Sequence, residues 1–235
     1  MTSVYAPLRL KKNEDRRLRA GHLWVFSNEV DTAATPLDGF APGGLVEIQT
    51  ASGRPLGTGY VNPHSLICAR LVSRDARHPL SASFLVHRIQ VALSLRERVY
   101  GAPYYRLIYG ESDGLPGLVV DRFDGTLVVQ MSTAGMEAMR EDVIAALEKV
   151  VRPTAILLRN DLALRQLEGL ELYSHAVLGQ VPERTEVEEN GVRFEAPLAA
   201  GQKTGWYYDH RDNRARLARY VKGRRVLDVF SYIGA

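Results

Sequence analysis

A single cysteine, Cys68, occurs among the 235 residues. One thiol makes neither an intrachain disulfide nor a zinc site built from several thiolates. Long apolar runs are also missing, since no stretch approaches the roughly 18 apolar residues that span a bilayer. Residues 1–6 lack a charged region followed by an apolar core, so no signal peptide is expected. An excess of one charge is absent too: 30 Lys+Arg against 27 Asp+Glu leave a net charge of +3. Apolar residues at 46 % exclude global disorder and a collagen-like fibre. These absences predict a soluble, cytoplasmic protein that does not associate with membranes. Its length exceeds the usual domain of about 100–150 residues, so at least two domains are expected.

The charge that is present is unevenly placed. The first 25 residues carry Arg9, Lys11, Lys12, Arg16, Arg17 and Arg19 against only Glu14 and Asp15. Residues 76–185 hold 12 basic and 13 acidic side chains, and residues 186–235 hold nine and seven. Basic ends around a neutral middle attract polyanions, because neutralising phosphates releases their counterions. A solvated surface explains the same charges.

The first 75 residues read as short strands separated by turns. Leu8 and Leu10 alternate with charged residues, and 14–19 allows one or two helical turns closed by Gly21. Trp24-Val25-Phe26, Leu45 to Ile48, Leu56 to Val61 and Leu66 to Val72 follow as strands. Gly57 and Gly59 point to a bulge or a close backbone approach. Strands at this spacing, with Gly-rich turns, predict a small β-barrel.

From residue 76 the period changes. Phe84, Leu85, Ile89, Ala92, Leu93 and Val99 recur at helical spacing behind a Ser81 or Ser83 cap. Strands are predicted over 104–109, 118–120, 127–129 and 155–158, with a tight turn at Asp124-Gly125 and a helix over 136–147 ended by Pro153. This order predicts a compact α+β module over 76–185. Beyond it lie a hairpin across Asn190-Gly191, a Gly-rich loop at 200–205, a helix over 209–220 and a buried strand at 226–230.

That last strand carries Asp228 and leads through Ser231-Tyr232-Ile233 to Gly234. In open α/β folds ligands bind beyond the carboxyl end of such a strand. Asp228 to Gly234 resembles motif I of S-adenosylmethionine-dependent RNA methyltransferases. Gly201-Gln202-Lys203-Thr204-Gly205-Trp206-Tyr207-Tyr208-Asp209-His210-Arg211-Asp212-Asn213-Arg214 is similar to the segment that precedes motif I in them. Gly110-Glu111-Ser112-Asp113-Gly114-Leu115-Pro116-Gly117-Leu118 and Gly21-His22-Leu23-Trp24-Val25-Phe26-Ser27-Asn28-Glu29 resemble the same family. That family is the bacterial PUA-domain-containing 23S rRNA cytosine-5 methyltransferases.

The resemblance implies a PUA RNA-binding barrel over 1–75, a central α+β domain over 76–185, and the start of a Rossmann-like methyltransferase domain over 186–235. It implies ribosomal RNA as partner and S-adenosylmethionine as cofactor of the full-length protein. The cofactor would lie against Asp228, Phe230, Tyr232 and Gly234, and the cofactor or target base near Gln202, Lys203, Thr204, Asp209 and Arg211. Lys11, Lys12, Arg16, Arg17 and Arg19 are the expected RNA-binding residues. Methylation of cytosine C5 needs a thiolate that adds at C6. Cys68 lies in an apolar run and reads as a small buried hydrophobe, so the nucleophile is expected beyond Ala235 and the chain is expected to be inactive alone. Glu111 and Asp113 read as parts of an ordered Gly/Pro turn rather than as an acid/base pair. No metal site is expected. An RNA-binding or dimerisation module without catalysis is the alternative, with homodimerisation left open.

Overall fold

The computed structural model describes residues 5–75 and 78–234. Residues 1–4, on which part of the leader reading rests, lie outside the described residues. Among the described residues three β-sheets succeed one another along the chain, with three hydrophobic cores against them.

The first sheet contains β1 (Ala6–Arg9), β2 (Trp24–Val25), β3 (Gly44–Gln49), β4 (Pro55–Val61) and β5 (Ala69–Ser73), in the order β1-β3-β4-β5-β2. β1 runs parallel to β3, and the other pairs are antiparallel. An isolated bridge between Leu10 and Val30 draws the two edges together, so the sheet wraps around Leu8, Leu10, Leu18, Val46, Ile48, Val61 and Leu71. A Cβ at Gly57 would collide with the Ser73 carbonyl, and one at Gly59 with that of Arg70. The two glycines therefore set how closely β4 and β5 approach, as their spacing predicts. The helical turn expected over 14–19 is one turn, α1 (Arg16–Arg19). The strand expected from Leu66 begins only at Ala69, and Leu66 lies exposed.

The second sheet contains β6 (Tyr104–Tyr109), β7 (Leu118–Phe123), β8 (Thr126–Met131), β9 (Ala155–Asn160) and β10 (Tyr173–Leu178), in the order β10-β9-β8-β7-β6. α2 (Ala82–Val99) starts at Ser81, whose hydroxyl accepts from the Phe84 amide. The helix expected over 136–147 is broken at Met139 into α3 (Ala134–Ala138) and α4 (Arg140–Val151). α2 and α4 pack together, and their apolar faces meet Leu107, Val120, Val129 and Leu158 on one face of the sheet. The third sheet is a hairpin of β11 (Arg184–Glu189) and β12 (Val192–Pro197), followed by α5 (Arg211–Val221). Asn190 and Gly191 both take positive φ, as the Asn-Gly turn requires.

The strand expected over 226–230 does not form. Among the described residues no sheet pairs with it, and Leu227 and Phe230 are exposed. A strand needs a partner for its amides and carbonyls, and an apolar sequence does not supply one. Among the described residues no helix is long and apolar enough to cross a membrane.

The first two sheets are locked together by a buried polar knot. The Glu168 carboxylate accepts from Arg70 Nη1 at 3.0 Å and from Asn62 Nδ2 at 2.8 Å. The Ala134 amide at the start of α3 donates to it as well. Tyr60 of β4 crosses into the second core, where its hydroxyl donates to the Pro116 carbonyl at 2.7 Å. Gly135 makes room for that ring, since a Cβ there would strike it. Removing one partner of a buried charge pair leaves the other desolvated and alone, at a cost of about 3–5 kcal/mol. Glu168→Ala should therefore destabilise the chain by that amount in chemical denaturation. An unchanged midpoint would mean that the knot does not hold the sheets.

Candidate functional site

The second face of the central sheet organises the C-terminal fifty residues. Side chains alternate across a strand, so Leu118 and Val120 of β7 face the helices while Asp121 and Phe123 take part in the other side. Phe123, Val128 and Leu157 form an apolar patch there, and Val187, Ala196, Leu198, Trp206 and Tyr208 cover it.

Next to this patch stands Asp121, fully buried. Arg106 donates both Nε and Nη2 to its two oxygens at 2.9 Å, and the buried Thr204 hydroxyl donates to Oδ2. The Arg159 guanidinium donates to the Leu198 and Gly201 carbonyls, fastening the other side of the 200–205 loop. Gly201 and Gly205 both lie against the Pro197 carbonyl, where a Cβ would collide.

Glu189, at the end of β11, anchors the helix that follows. Its buried carboxylate accepts from Trp206 Nε1 at 2.9 Å and from Arg214 Nη2 at 3.0 Å. Arg211 approaches it at 3.5 Å, stacks over Tyr100 and also reaches the Tyr104 carbonyl. Two arginines of a helix with no buried residue are thus spent on one acid.

Between loop, helix and tail lies a cavity of about 360 Å³. Gln202, Tyr207, Arg214, Asp228, Phe230 and Tyr232 are among the residues that line it. The Tyr232 hydroxyl receives the Gln202 amide at 3.2 Å and donates to the Gly205 carbonyl, and its ring meets Tyr207 edge-on. Burial pushes the Tyr232 phenol above its ordinary range.

The expected site residues therefore divide. Gln202, Asp228, Phe230 and Tyr232 come together at this cavity, whereas Lys203, Thr204, Asp209, Arg211 and Gly234 are not part of its lining. The Lys203 ammonium sits 2.9 Å from Asp209 and 4.1 Å above the Tyr207 ring. Burial raises the Asp209 carboxyl, but the hydrogen bond and charge of Lys203, with a backbone hydrogen bond, together outweigh it and hold the group below its ordinary range. Asp209 does not cap α5, for which no side-chain cap bond forms. Asp121, Glu189 and Arg159 were not singled out from sequence. The one available signal was a carboxylate inside the apolar run of β7.

The basic cluster at the N-terminal end is partly committed. Arg17 pairs with Glu29 at 3.1 Å, Arg19 with Asp15, and Lys11 donates to the Asn28 carbonyl. Lys12 and Arg16 are exposed. Glu111 and Asp113 are structural, in line with the turn reading. Arg96 grips Asp113 through two bonds of 2.7 Å, and Glu111 accepts from Trp24 Nε1 at 2.7 Å. Among the described residues no His/Cys/Asp/Glu group is arranged to hold a metal.

Comparison with known proteins adds to this geometry. Residues 8–74 match the PUA-like domain family. Over nearly all of its length the chain resembles ribosomal RNA large subunit methyltransferases. The Salmonella arizonae Ribosomal RNA large subunit methyltransferase I is 39 % identical over 235 residues, covering 98 % of this chain and 57 % of the relative. The Photobacterium profundum protein of the same name is 36 % identical over 239 residues, covering 99 % and 58 %. The chain thus spans somewhat more than half the length of these relatives. Among solved structures, a chain from Streptococcus mutans described as a SAM-dependent methyltransferase aligns with TM-score 0.72 at 18 % identity. That alignment covers 90 % of this chain and 54 % of the other. SMU.776, solved with SAH, aligns with TM-score 0.75 at 19 % identity, covering 90 % and 53 %. These likenesses place the chain in the fold of methyltransferase structures.

Cys68 is fully buried, its Sγ 3.6 Å from the Val25 carbonyl. Burial pushes the thiol from about 9 up to about 12. The folded chain keeps it protonated where the unfolded chain ionises it. Its stabilising contribution is therefore complete below pH ~9 and is lost progressively as the pH rises toward 12. Between pH 8 and 10.5, wild-type unfolding free energy should fall more steeply than that of Cys68→Ala. Parallel pH profiles would show that the thiol is not desolvated.

Proposed function

We propose that this chain is the RNA-binding and cofactor-approaching part of an enzyme that methylates C5 of a cytosine in large-subunit ribosomal RNA. The observation that carries the reading is the likeness of nearly all of this chain to somewhat more than half of rRNA large subunit methyltransferases, taken with the PUA-like match. Residues 1–75 form the RNA-binding domain, 76–185 the central domain, and 186–235 the beginning of a Rossmann-like methyltransferase domain.

The cavity at 202–232 is where S-adenosylmethionine would be held, and its lining fits that group in kind. Asp228 offers a carboxylate to a cationic or hydroxyl-bearing ligand, Arg214 a cation to a carboxylate, and Tyr207 and Tyr232 offer rings. When bound, the cofactor supplies the methyl group. Lys203 and Asp209 act as a fixed ion pair at the mouth of the loop, and Thr204 fixes the loop through Asp121. Arg211 orients α5 against Glu189. Gly234, in the left-handed region, keeps the end of motif I free of a side chain.

The nucleophilic thiolate does not come from Cys68, which is buried and holds its proton. It is assigned to the portion of the relatives that this chain does not span. The 235-residue chain should accordingly show no methyl transfer, whereas a version of the relatives' full length should transfer labelled methyl groups to large-subunit rRNA.

Lys12, Arg16 and the other basic residues of 11–19 should contribute phosphate contacts. Replacing Lys11, Lys12 and Arg16 together by Ala should weaken binding to large-subunit rRNA fragments by at least about tenfold at low salt. It should also flatten the dependence of log K on log salt by up to about three. Unchanged affinity would overturn the assignment of this cluster. RNA binding by a full-length protein that never methylates would favour a binding module.

A further inference from the structure

Three of the sequence segments singled out above meet in space, away from the 202–232 cavity. Trp24, in the Gly21–Glu29 segment, hydrogen-bonds Glu111 of the Gly110–Leu118 segment. Both line a cavity of about 500 Å³ between the first sheet and the edge of the second. Tyr109 and Ser112 line this cavity and also a neighbouring one of about 400 Å³, to which Asp209 and Arg211 of the third segment contribute. The two cavities thus adjoin at Tyr109 and Ser112, as two lobes of a groove.

The groove presents flat rings rather than free charge. Trp24 is 39 % exposed and Tyr109 54 %. Arg106 lies over the ring of Tyr109 at 5.2 Å, and that side chain is still more than half exposed. Tyr100 and Tyr105, stacked at 5.4 Å, extend the aromatic wall. The guanidinium groups along the groove are already engaged: Arg70 with Glu168, Arg96 with Asp113 and Arg106 with Asp121. Such a lining has little free charge to neutralise phosphates, but it offers stacking surfaces rimmed by cation edges. That combination suits the π-faces of unstacked bases. Each cavity lies in the range of small-ligand pockets, about 300–1,000 Å³.

We propose that this groove takes unpaired nucleotides of an RNA strand, with Trp24 and Tyr109 as the stacking platforms for successive bases. The proposal rests on the RNA-modifying reading above and adds to it a contact surface distinct from the basic cluster. The two contributions separate by their response to salt. Stacking on neutral rings releases few counterions, whereas contacts from the 11–19 cluster release several.

The test uses the 235-residue chain and a fluorescein-labelled unpaired 12-nucleotide RNA, with a duplex of the same sequence as control. Trp24→Ala and Tyr109→Ala should each weaken binding of the unpaired RNA by about tenfold and leave the salt slope unchanged. Trp24→Phe and Tyr109→Phe keep a ring and should recover most of that loss. Duplex binding should barely move. Trp24 is one of two tryptophans, and Trp206 is buried, so quenching of tryptophan emission by unlabelled RNA reads stacking on Trp24 directly. RNA that binds with a salt-dependent affinity untouched by the Ala variants, and without quenching, would overturn this proposal while leaving the RNA-modifying reading standing. Absence of RNA binding by the wild-type chain would count against both. Quenching by an apolar peptide but not by RNA would assign the groove to a protein partner instead.

Discussion

The central sheet has two faces to keep from water, and α2 and α4 cover only one. The other face holds an apolar half, at Phe123, Val128 and Leu157, and a polar half centred on Asp121 and Arg159. Everything after residue 180 is arranged by that division. The hairpin and Trp206 cover the apolar half, while the 200–205 loop is tied down over the polar half. A buried carboxylate is tolerated only when its oxygens are filled, and Arg106 with Thr204 fills those of Asp121. The loop of the candidate site is therefore positioned by the satisfaction of a buried acid 83 positions away in sequence. Glu189 repeats the device on the next layer, where one carboxylate gathers an indole and two guanidinium groups.

Much of the architecture was legible because local signals agreed with the fold. Ser81 caps α2, Asp124-Gly125 and Asn190-Gly191 turn their hairpins, and Gly57 and Gly59 mark the close pairing of β4 with β5. These are short-range features, and the sequence states them within a few residues. What was not legible was long-range. Met139 interrupts what reads as one helix, its backbone leaving the helical region between α3 and α4, and helical periodicity alone does not reveal such a break. Residues 226–230 have the composition of a core strand but no partner among the described residues, so composition promised more order than pairing delivers.

The candidate site shows the same contrast. The segment that resembles motif I and the loop before it were singled out from residue order, and four of the nine expected residues meet at one cavity. The residues that hold the loop in place, Asp121, Arg159 and Glu189, were invisible because their partners lie 17 to 83 positions away. Charge gave the weakest guidance. Arg17 and Arg19 read as free cations in a basic stretch, yet each already has a carboxylate beside it. Counting charges along a sequence does not reveal which of them are spent.

Tyr60 belongs to the first sheet by its backbone and to the second core by its ring. A division of the chain drawn between those sheets is thus a division of sequence and not of packing. Separating them would leave a ring-shaped hollow beside Gly135 and a large aromatic side chain in water. The two sheets consequently share one side chain as part of their packing. A change felt at Tyr60 in the first sheet therefore meets Pro116, Thr133 and Gly135 of the second directly.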